Sequence, residues 1–523
     1  MQRIASFLPT TGRNFFPKTG KRVCVIGAGG SGMLVAERLR HLFDVTVVDP
    51  KSYYEFSPGL PRALAQPVQT HKRLTFDYRE ILEDRLGVEF VQGYVTELVD
   101  HVTYKQKTAA VSSSSTAPSG GHCSIAPAAD GTSGAGTTRE LDFDYCVICA
   151  GIQNGIWKQN FSTLGERLDS LRQKSSELVA TKDPIYIIGG GLVGTEVAAE
   201  IAHYWRKPMR LYDGNPRLLL QLPLEASTYA QQWLEKRQCR LHLGEGFPDF
   251  QARKDDANVV SCVGVKPQNH FLTATHLDDR GFVKVNRRLQ VMRTKTPSSV
   301  AAPRTTSTST GRADSSASDG PENLQSAAEQ DEATASSTST TAAEQSGSAS
   351  SSDSGPPPGE DAASTSSSRV AEVSSVSGWY ACGDCVALEG VPKTYFAAEE
   401  MASLVVANIE RQEGFAPDIL SMSTGSLDTS SGDRRTSRDF SSDMSSATSS
   451  EDGYLPDDLA YPFCISLGPT DGIFASVPSA GSAGAVLLEG RPAALQKQMI
   501  EDTKLLALKD DSFYAKALWA AVH

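Results

Sequence analysis

Residues 23–39, VCVIGAGGSGMLVAERL, and residues 186–201, YIIGGGLVGTEVAAEI, are near copies offset by 162 positions. Each begins with an apolar run suited to a strand buried on both faces, turns through G-x-G-x-x-G, and continues with helix formers. In the first copy Lys21–Ile26 leads into Gly27-Ala28-Gly29-Gly30-Ser31-Gly32. Gly27 permits the tight turn, Gly29 lets a phosphate approach the backbone, and Gly32 lets the helix pack on the strand. The pattern predicts a helix over Met33–Leu42 and a second strand over Asp44–Val48, ending in Asp49, 22 residues past Gly27. In the second copy Ile185–Ile188 precedes Gly189-Gly190-Gly191-Leu192-Val193-Gly194, and Met209–Tyr212 ends in Asp213, 24 residues past Gly189. Phosphates placed this way meet free N–H groups at the positive end of a helix dipole, and an acid at this offset can accept hydrogen bonds from a ribose. Strand, loop, helix, strand and acid occur twice in order, which predicts an α/β fold with two Rossmann-like dinucleotide-binding domains. The copies differ at one informative place: Glu196 follows the second loop where the first has Leu34.

The 523 residues carry a net charge of −12. Residues 301–370 are mostly Ser, Thr, Ala, Gly and Pro and hold ten acidic against three basic residues, a net of −7. Such a segment cannot bury enough apolar surface to offset its conformational entropy and is expected to be a disordered insert. The remainder is mildly acidic, which argues against nucleic-acid binding. Two shorter segments of similar composition run over about Ala109–Thr138 and Ser421–Ser450. What is left, roughly 390 residues, suits two α/β domains and a C-terminal piece. Nine scattered cysteines suit reduced thiols and an intracellular rather than secreted protein. No window approaches the about 18 apolar residues of a membrane span, so any membrane contact would be peripheral. The N-terminal MQRIASFLPTTGRNFFPKTGKR has five basic residues and no acidic one, equally compatible with a mitochondrial transit peptide and with a short tail.

Further turns close the two domains. Leu141–Ile148 is expected as a strand running into Cys149-Ala150-Gly151, and Asn258–Val263 as one running into Gly264-Val265-Lys266-Pro267. GWYACGDC, residues 378–385, is a strand ending in Gly383-Asp384, where a carboxylate can meet cofactor hydroxyls or cap the next helix.

The order GAGGSG, CAG, GGGLVG, VGVKP and ACGDC resembles the two-dinucleotide-binding flavoprotein oxidoreductases of the pyridine-nucleotide-disulfide-oxidoreductase type. Within them the chain looks most like type II NADH:quinone oxidoreductases and the apoptosis-inducing-factor-like, ferroptosis-suppressor-type ubiquinone reductases. VVDPKSYYEFSPGLPRAL (47–64), PKTYFAAEEMASLVVANI (392–409) and ISLGPTDGIFAS (465–476) carry the narrower likeness. The resemblance implies that the first domain holds FAD, through Gly27, Ala28, Gly29, Gly30, Ser31, Gly32, Asp49, Ala150, Gly151, Gly383, Asp384 and, by position, Lys393. It implies that the second presents NADH or NADPH through Gly189, Gly191, Gly194, Asp213 and Gly264. Asp213 would repel a 2′-phosphate and favours NADH, whereas Arg210 and Arg217 nearby leave NADPH open. Glu196 matches the family's glutamate near flavin and nicotinamide; its alternative is a first-turn acid complementing the helix dipole.

A quinone acceptor is implied, with Tyr395, Phe396 and Glu400 beside it. Phe396 and Glu400 stand where type II enzymes usually have two glutamines, and an apolar helix face packed on the flavin domain explains the same residues. Flavin chemistry needs no metal, and the nine histidines form no grouping of ligand spacing. The C-x-x-C of Cys382-Gly383-Asp384-Cys385 is expected to serve as a tight turn rather than a redox dithiol. The implied domains are a tail over 1–21, an FAD domain over 22–160 and 372–415, an NAD(P)H domain over 161–292, inserts over 293–371 and 416–455, and a C-terminal strand pair and helical tail over 456–523. That tail has Leu505, Leu506, Leu508, Phe513, Leu518 and Trp519 at helical intervals, which suit either a membrane interface or docking on the protein itself. The resemblance also leaves room for a homodimer, for a mitochondrial or cytoplasmic site, and for other acceptors: an iron–sulfur protein, oxygen, or a redox-responsive binding role.

Overall fold

The computed structural model describes residues 17–100, 120–128, 138–158, 161–294, 373–415, 453–455, 459–479, 484–510 and 512–522. The tail as far as residue 16, residues 301–370 and residues 421–450 lie outside the described residues, so the expectations placed on them do too.

The chain opens with β1 (Arg22–Ile26), whose Val23, Cys24, Val25 and Ile26 are all buried. The glycine loop follows, then α1 (Gly30–Leu39) and β2 (Asp44–Asp49). The helix starts three residues before the predicted Met33, because Gly30, Ser31 and Gly32 form its first turn rather than a loop ahead of it. A short helix α2 (Leu60–Ala65) and strands β3 (Glu89–Asp100), β4 (Gly121–Pro127), β5 (Arg139–Phe143) and β6 (Tyr145–Ile148) follow. The expected single strand over 141–148 is therefore two, broken at Asp144, whose backbone N–H donates to the Arg22 carbonyl. Strand β4 lies inside the segment predicted to be of low complexity. Cys123 and Ile125 alternate inward along it, and antiparallel pairing to β3 and β5 satisfies its backbone.

Next comes α3 (Leu164–Ala180), with a capping box at Thr163 and Glu166. The second repeat contains β7 (Ile185–Ile188), α4 (Leu192–Tyr204), β8 (Met209–Asp213), β9 (Cys239–Leu243) and β10 (Val259–Ser261). Its parallel sheet has the order β9-β8-β7-β10. The chain then returns to the first sheet with β11 (Gln290–Thr294) and β12 (Val373–Ala381), whose ends pair directly, Thr294 opposite Val373. The first sheet has the order β11-β12-β6-β1-β2-β3-β4-β5, with a parallel centre flanked by antiparallel edges.

Helix α5 (Tyr395–Gln412) lies on α1. A three-stranded antiparallel sheet, β13 (Ala460–Ser466), β14 (Gly472–Pro478) and β15 (Ala485–Glu489), precedes helices α6 (Arg491–Lys509) and α7 (Phe513–Val522). These helices dock on the protein. Leu505, Leu508, Ala515 and Trp519 are buried, and Lys504 pairs with buried Glu399 of α5 while lying over the Tyr395 and Trp519 rings. Each fully buried large apolar side chain contributes about 1.5–3 kcal/mol, so the contact is a substantial one. The outer faces keep Leu495, Met499, Leu506, Tyr514 and Leu518 exposed. Among the described residues no helix is long and apolar enough to cross a membrane.

Candidate active site

The two glycine loops share one wiring. Gly27 N–H donates to the Val48 carbonyl at 2.7 Å, and Gly189 N–H to the Tyr212 carbonyl at 2.8 Å. Ala28 N–H donates to Asp49 at 2.8 Å, and Gly190 N–H donates to Asp213. The closing turns match as well: Cys149 N–H reaches the Ile26 carbonyl and Cys262 N–H the Ile188 carbonyl. Each predicted acid thus ends its strand beside the glycine loop and fixes the loop's second residue.

Behind the loops there is no room for a side chain. Gly27 has φ +96° and Gly189 φ +103°, the left-handed region that favours glycine. A Cβ on Gly32 would run into the Gly27 carbonyl, and one on Gly194 into the Gly189 carbonyl. In front the space is open: nothing lies within 4 Å of a Cβ built on Gly29, Gly151, Gly191 or Gly264. Walls that are closed behind and open toward the helix N-termini fit a bound pyrophosphate at each loop. On the first side Gly383, at φ +83°, backs onto Ser31. Asp384 accepts from Lys158 Nζ at 2.5 Å, and its buried Oδ1 has no protein partner. An orphaned acceptor next to an open glycine wall suits a cofactor hydroxyl, and FAD fits this cradle. The cap of α5 is Thr394, whose Oγ1 accepts from Ala397 N–H, so Asp384 does not cap that helix.

On the second side Asp213 also accepts from the backbone and side chain of Asn215, at 2.7 and 2.9 Å. Arg217 donates to the Leu219, Leu220 and Leu222 carbonyls at 3.3, 2.7 and 2.9 Å, so its guanidinium braces its own loop.

Glu196, in the first turns of α4, is 6% exposed and does not simply face the helix dipole. Its Oε1 accepts from Ser466 N–H at 2.8 Å and Ser466 Oγ at 3.2 Å, and it forms an ion pair with Lys497. Both partners come from the C-terminal segment. One turn along the same helix Glu200, 1% exposed, accepts from Arg62 Nε of α2 at 3.2 Å and leaves Oε2 without a protein partner. Burial raises the Glu200 carboxyl, and the pull of Arg62 and Lys497 does not cancel it. Sequence reasoning missed Ser466, Lys497, Arg62 and Lys158; only Glu200 carried a signal, its spacing four residues after Glu196.

The residues assigned to the acceptor divide between two surroundings. Tyr395 lies against Gly30, where a Cβ would stand 2.6 Å from the ring, and its hydroxyl is 2.9 Å from that of Tyr54. Phe396 instead meets Tyr461 of β13 edge-on, and Glu400 is one turn further along α5 on the same side. Lys393 Nζ donates to the Val386 carbonyl at 2.6 Å and lies over the Phe282 ring.

All nine cysteines are free thiols. Cys149 and Cys382 approach to 3.4 Å between sulfurs, a closeness that the sequence did not signal. The hydrogen bond with Cys382 and burial push the Cys149 thiol well up, and burial pushes Cys385 up to about 12. Thiols held protonated are poor nucleophiles, which agrees with a packing role for the C-x-x-C turn. Among the described residues no group of three or more His, Cys, Asp or Glu side chains is arranged to hold a metal.

Known proteins share this architecture. The sulfide:quinone oxidoreductase from the hyperthermophilic bacterium Aquifex aeolicus superposes with a TM-score of 0.56 at 14% identity, over 94% of this chain and 92% of that one, a likeness of fold. Apoptosis-inducing factor homolog A of Dictyostelium discoideum is 29% identical over 183 residues, 35% of this chain and 36% of that protein. Homolog B of the same organism is 29% identical over 187 residues, 35% and 38% of the two chains. The matched region thus spans little more than a third of these curated relatives. The family profile described as pyridine nucleotide-disulphide oxidoreductase matches residues 21–298, from the edge of β1 past β11. That span is more than half of the chain and contains both glycine cradles, so the chain belongs to the pyridine nucleotide-disulphide oxidoreductase family, whose members bind FAD and NAD(P)H.

Proposed function

We propose that this protein oxidises NADH, and NADPH less well, and passes the electrons through FAD to a quinone, in the manner of type II NADH:quinone oxidoreductases and apoptosis-inducing-factor-like ubiquinone reductases. Bound FAD supplies the chemistry, accepting a hydride and returning electrons singly or in pairs. The first cradle, with Asp49, Ala150, Gly151, Gly383, Asp384 and Lys393, orients that cofactor. The second, with Gly189, Gly191, Gly194, Asp213 and Gly264, presents the nicotinamide. Asp213 disfavours a 2′-phosphate, and Arg217, committed to three carbonyls, does not oppose that preference.

The observation that carries the acceptor half of this reading is the thiol chemistry. Disulfide reduction on this scaffold needs an activated dithiol, and of the paired, buried cysteines by the cofactor cradle Cys149 has its thiol pushed well up by the Cys382 contact and by burial. A small acceptor that takes electrons from flavin directly suits the site better. Tyr395, Phe396 and Glu400 of α5 are the residues proposed to lie by it, and the exposed apolar face of α6 and α7 suits a peripheral contact with the membrane that stores quinones. The return of β12 to the first sheet supports an FAD domain completed by residues 372–415, whereas β11, in the same sheet, falls across the limits given from sequence to the NAD(P)H domain and the insert. The match to the two Dictyostelium proteins favours one second reading, a flavoprotein whose reduction state governs association with a partner. An acceptor panel of ubiquinone analogue, ferredoxin, cytochrome c and oxygen, run with NADH and NADPH, tests the proposal. It expects quinone turnover well above about one per second with NADH, against an enzyme median near 10 per second. Slower turnover with a reductant-dependent change in oligomeric state would favour the second reading.

A further inference from the structure

The end of the second sheet farthest from its glycine loop carries a cluster of cations that the fold does not neutralise. Strands β8 and β9 run in parallel register there, Met209 opposite Cys239 and Arg210 opposite Arg240. The segments that lead into them, WRKPMR at 205–210 and KRQCR at 236–240, hold Arg206, Lys207, Arg210, Lys236, Arg237 and Arg240. Among the described residues none of the six makes an ion pair with a carboxylate, and Arg206, Lys236, Arg237 and Arg240 are exposed. The one acid in the same turns, Glu235, accepts instead from Gln231 at 3.0 Å. Two of the cations also serve the fold. Lys207 Nζ donates to the Leu178 and Thr181 carbonyls at the end of α3, at 3.1 and 2.6 Å. Arg237 lies 3.6 Å over the Trp233 ring and donates to the Trp233 carbonyl at 3.1 Å. Arg206 does the opposite: it closes α4 at φ +53°, with its N–H on the Ile201 carbonyl, in a left-handed position where glycine is usual. Arg210 and Arg240 stand directly opposite each other, a pairing of like charges that destabilises a sheet. The cations act on their neighbour too, for Arg206, Arg237 and Arg62 add to burial in lowering the His203 imidazole. A strained backbone and like charges side by side are retained where the side chains have a use outside the fold.

We propose that this pole of the second sheet is a docking surface for an acidic segment of a partner protein, and that it tethers the enzyme without taking part in its chemistry. Four of the six cations are arginines, whose planar forks hold carboxylates bidentately. Arg237 is already fixed on Trp233, so less of its freedom is lost on binding. The charge of the whole chain favours a short acidic segment over an extended anionic surface. A bilayer or a nucleic-acid duplex meets a molecule of net charge −12 and is repelled, whereas a short segment is governed by charges within about 10 Å, the screening length in dilute salt. The position of the cluster separates it from electron transfer. The strand β8 leads from it to Asp213 over five residues, about 15 Å at the rise of an extended chain, so a partner docked here leaves the nucleotide cradle open. The proposal is independent of the quinone reading.

The test uses the full chain loaded with FAD and a fluorescently labelled poly-glutamate peptide as probe. Wild type is expected to bind the peptide in about 50 mM salt and to release most of it at about 200 mM, as screening shortens the reach of the cluster. The triple variant Arg206→Gly, Lys236→Ser, Arg240→Ser is expected to bind at least about tenfold more weakly. A control variant, Arg79→Ser, Arg172→Ser, Arg280→Ser, removes three cations that are paired with Glu83, Asp169 and Asp278, and is expected to bind like wild type. Equal weakening in the two variants would show that the peptide reads only net charge, and overturns the proposal. Arg206→Gly alone relieves the left-handed strain, so its melting temperature is expected to rise while peptide binding weakens. A lower melting temperature with unchanged binding would give Arg206 a structural role and overturns the proposal. Flavin reduction by NADH is expected to run at the same rate in wild type and the triple variant, and a changed rate would put the cluster in the nucleotide site instead. Tighter binding of wild type to vesicles of phosphatidylserine and phosphatidylcholine, or to duplex DNA, than to the peptide would assign the pole to an extended anionic surface and likewise overturns the proposal.

Discussion

At the scale of single residues, the two glycine loops separate packing from binding. Gly32→Ala sends a methyl into the Gly27 carbonyl and is expected to destabilise the fold by about 1–3 kcal/mol, measured by chemical denaturation. Gly29→Ala meets nothing within 4 Å in the protein. It should leave the stability of the apoprotein alone and weaken FAD retention instead; equal losses of stability in the two variants would contradict the cradle. Glu200 makes a pH-dependent expectation. Its folded-state carboxyl is raised, so its protonation stabilises the fold fully below the unfolded carboxylate range, and that contribution is lost as pH rises through the folded value. Denaturation curves of wild type and Glu200→Gln should therefore diverge in favour of the variant as pH rises. The glycine loops and the placing of Asp49 and Asp213 beside them were legible in the sequence because a tight turn, close helix packing and the strand end that follows are fixed by local spacing. Ser466 and Lys497 were not, since they reach Glu196 across separations of 270 and 301 residues that no local pattern encodes.

At the scale of elements, the sequence located strands by apolar runs and missed where register changes break them. The run 141–148 looked continuous, yet β5 ends at Phe143 on the sheet edge and β6 begins at Tyr145 in its centre. Strand β4 was hidden by Ser, Ala and Gly around GHCSIAP, because only Cys123 and Ile125 need to face inward. The C-terminal helices were legible as helices but not in their docking, which depends on the Lys504–Glu399 pair. Glu399→Gln leaves a buried ammonium without its counter-charge and should cost about 3–5 kcal/mol by chemical denaturation, whereas replacing both partners by apolar residues should cost much less. Pairing of Thr294 with Val373 brings the ends of the long insert together in a hairpin. Replacing residues 301–370 by a short Gly-containing turn is therefore expected to leave the melting temperature and flavin content unchanged, and a large loss in either would show that the insert belongs to the folded core.

For the whole molecule, the internal repeat is the organising fact. The same loop wiring, built twice, places one cradle in the eight-stranded sheet and the other in the four-stranded sheet. The C-terminal strands and helices then reach both: Ser466 and Lys497 hold α4 of the second unit, and Lys504 holds α5 of the first. That arrangement suits a relay in which reductant enters at one loop and the acceptor is served beside the other. The most direct test is an anaerobic titration of the purified protein, loaded with FAD, by NADH and then by a ubiquinone analogue. The account expects the yellow flavin absorbance to bleach at one equivalent of NADH and to return at one equivalent of quinone. A flavin that NADH does not bleach, or that stays bleached in excess quinone, would contradict it.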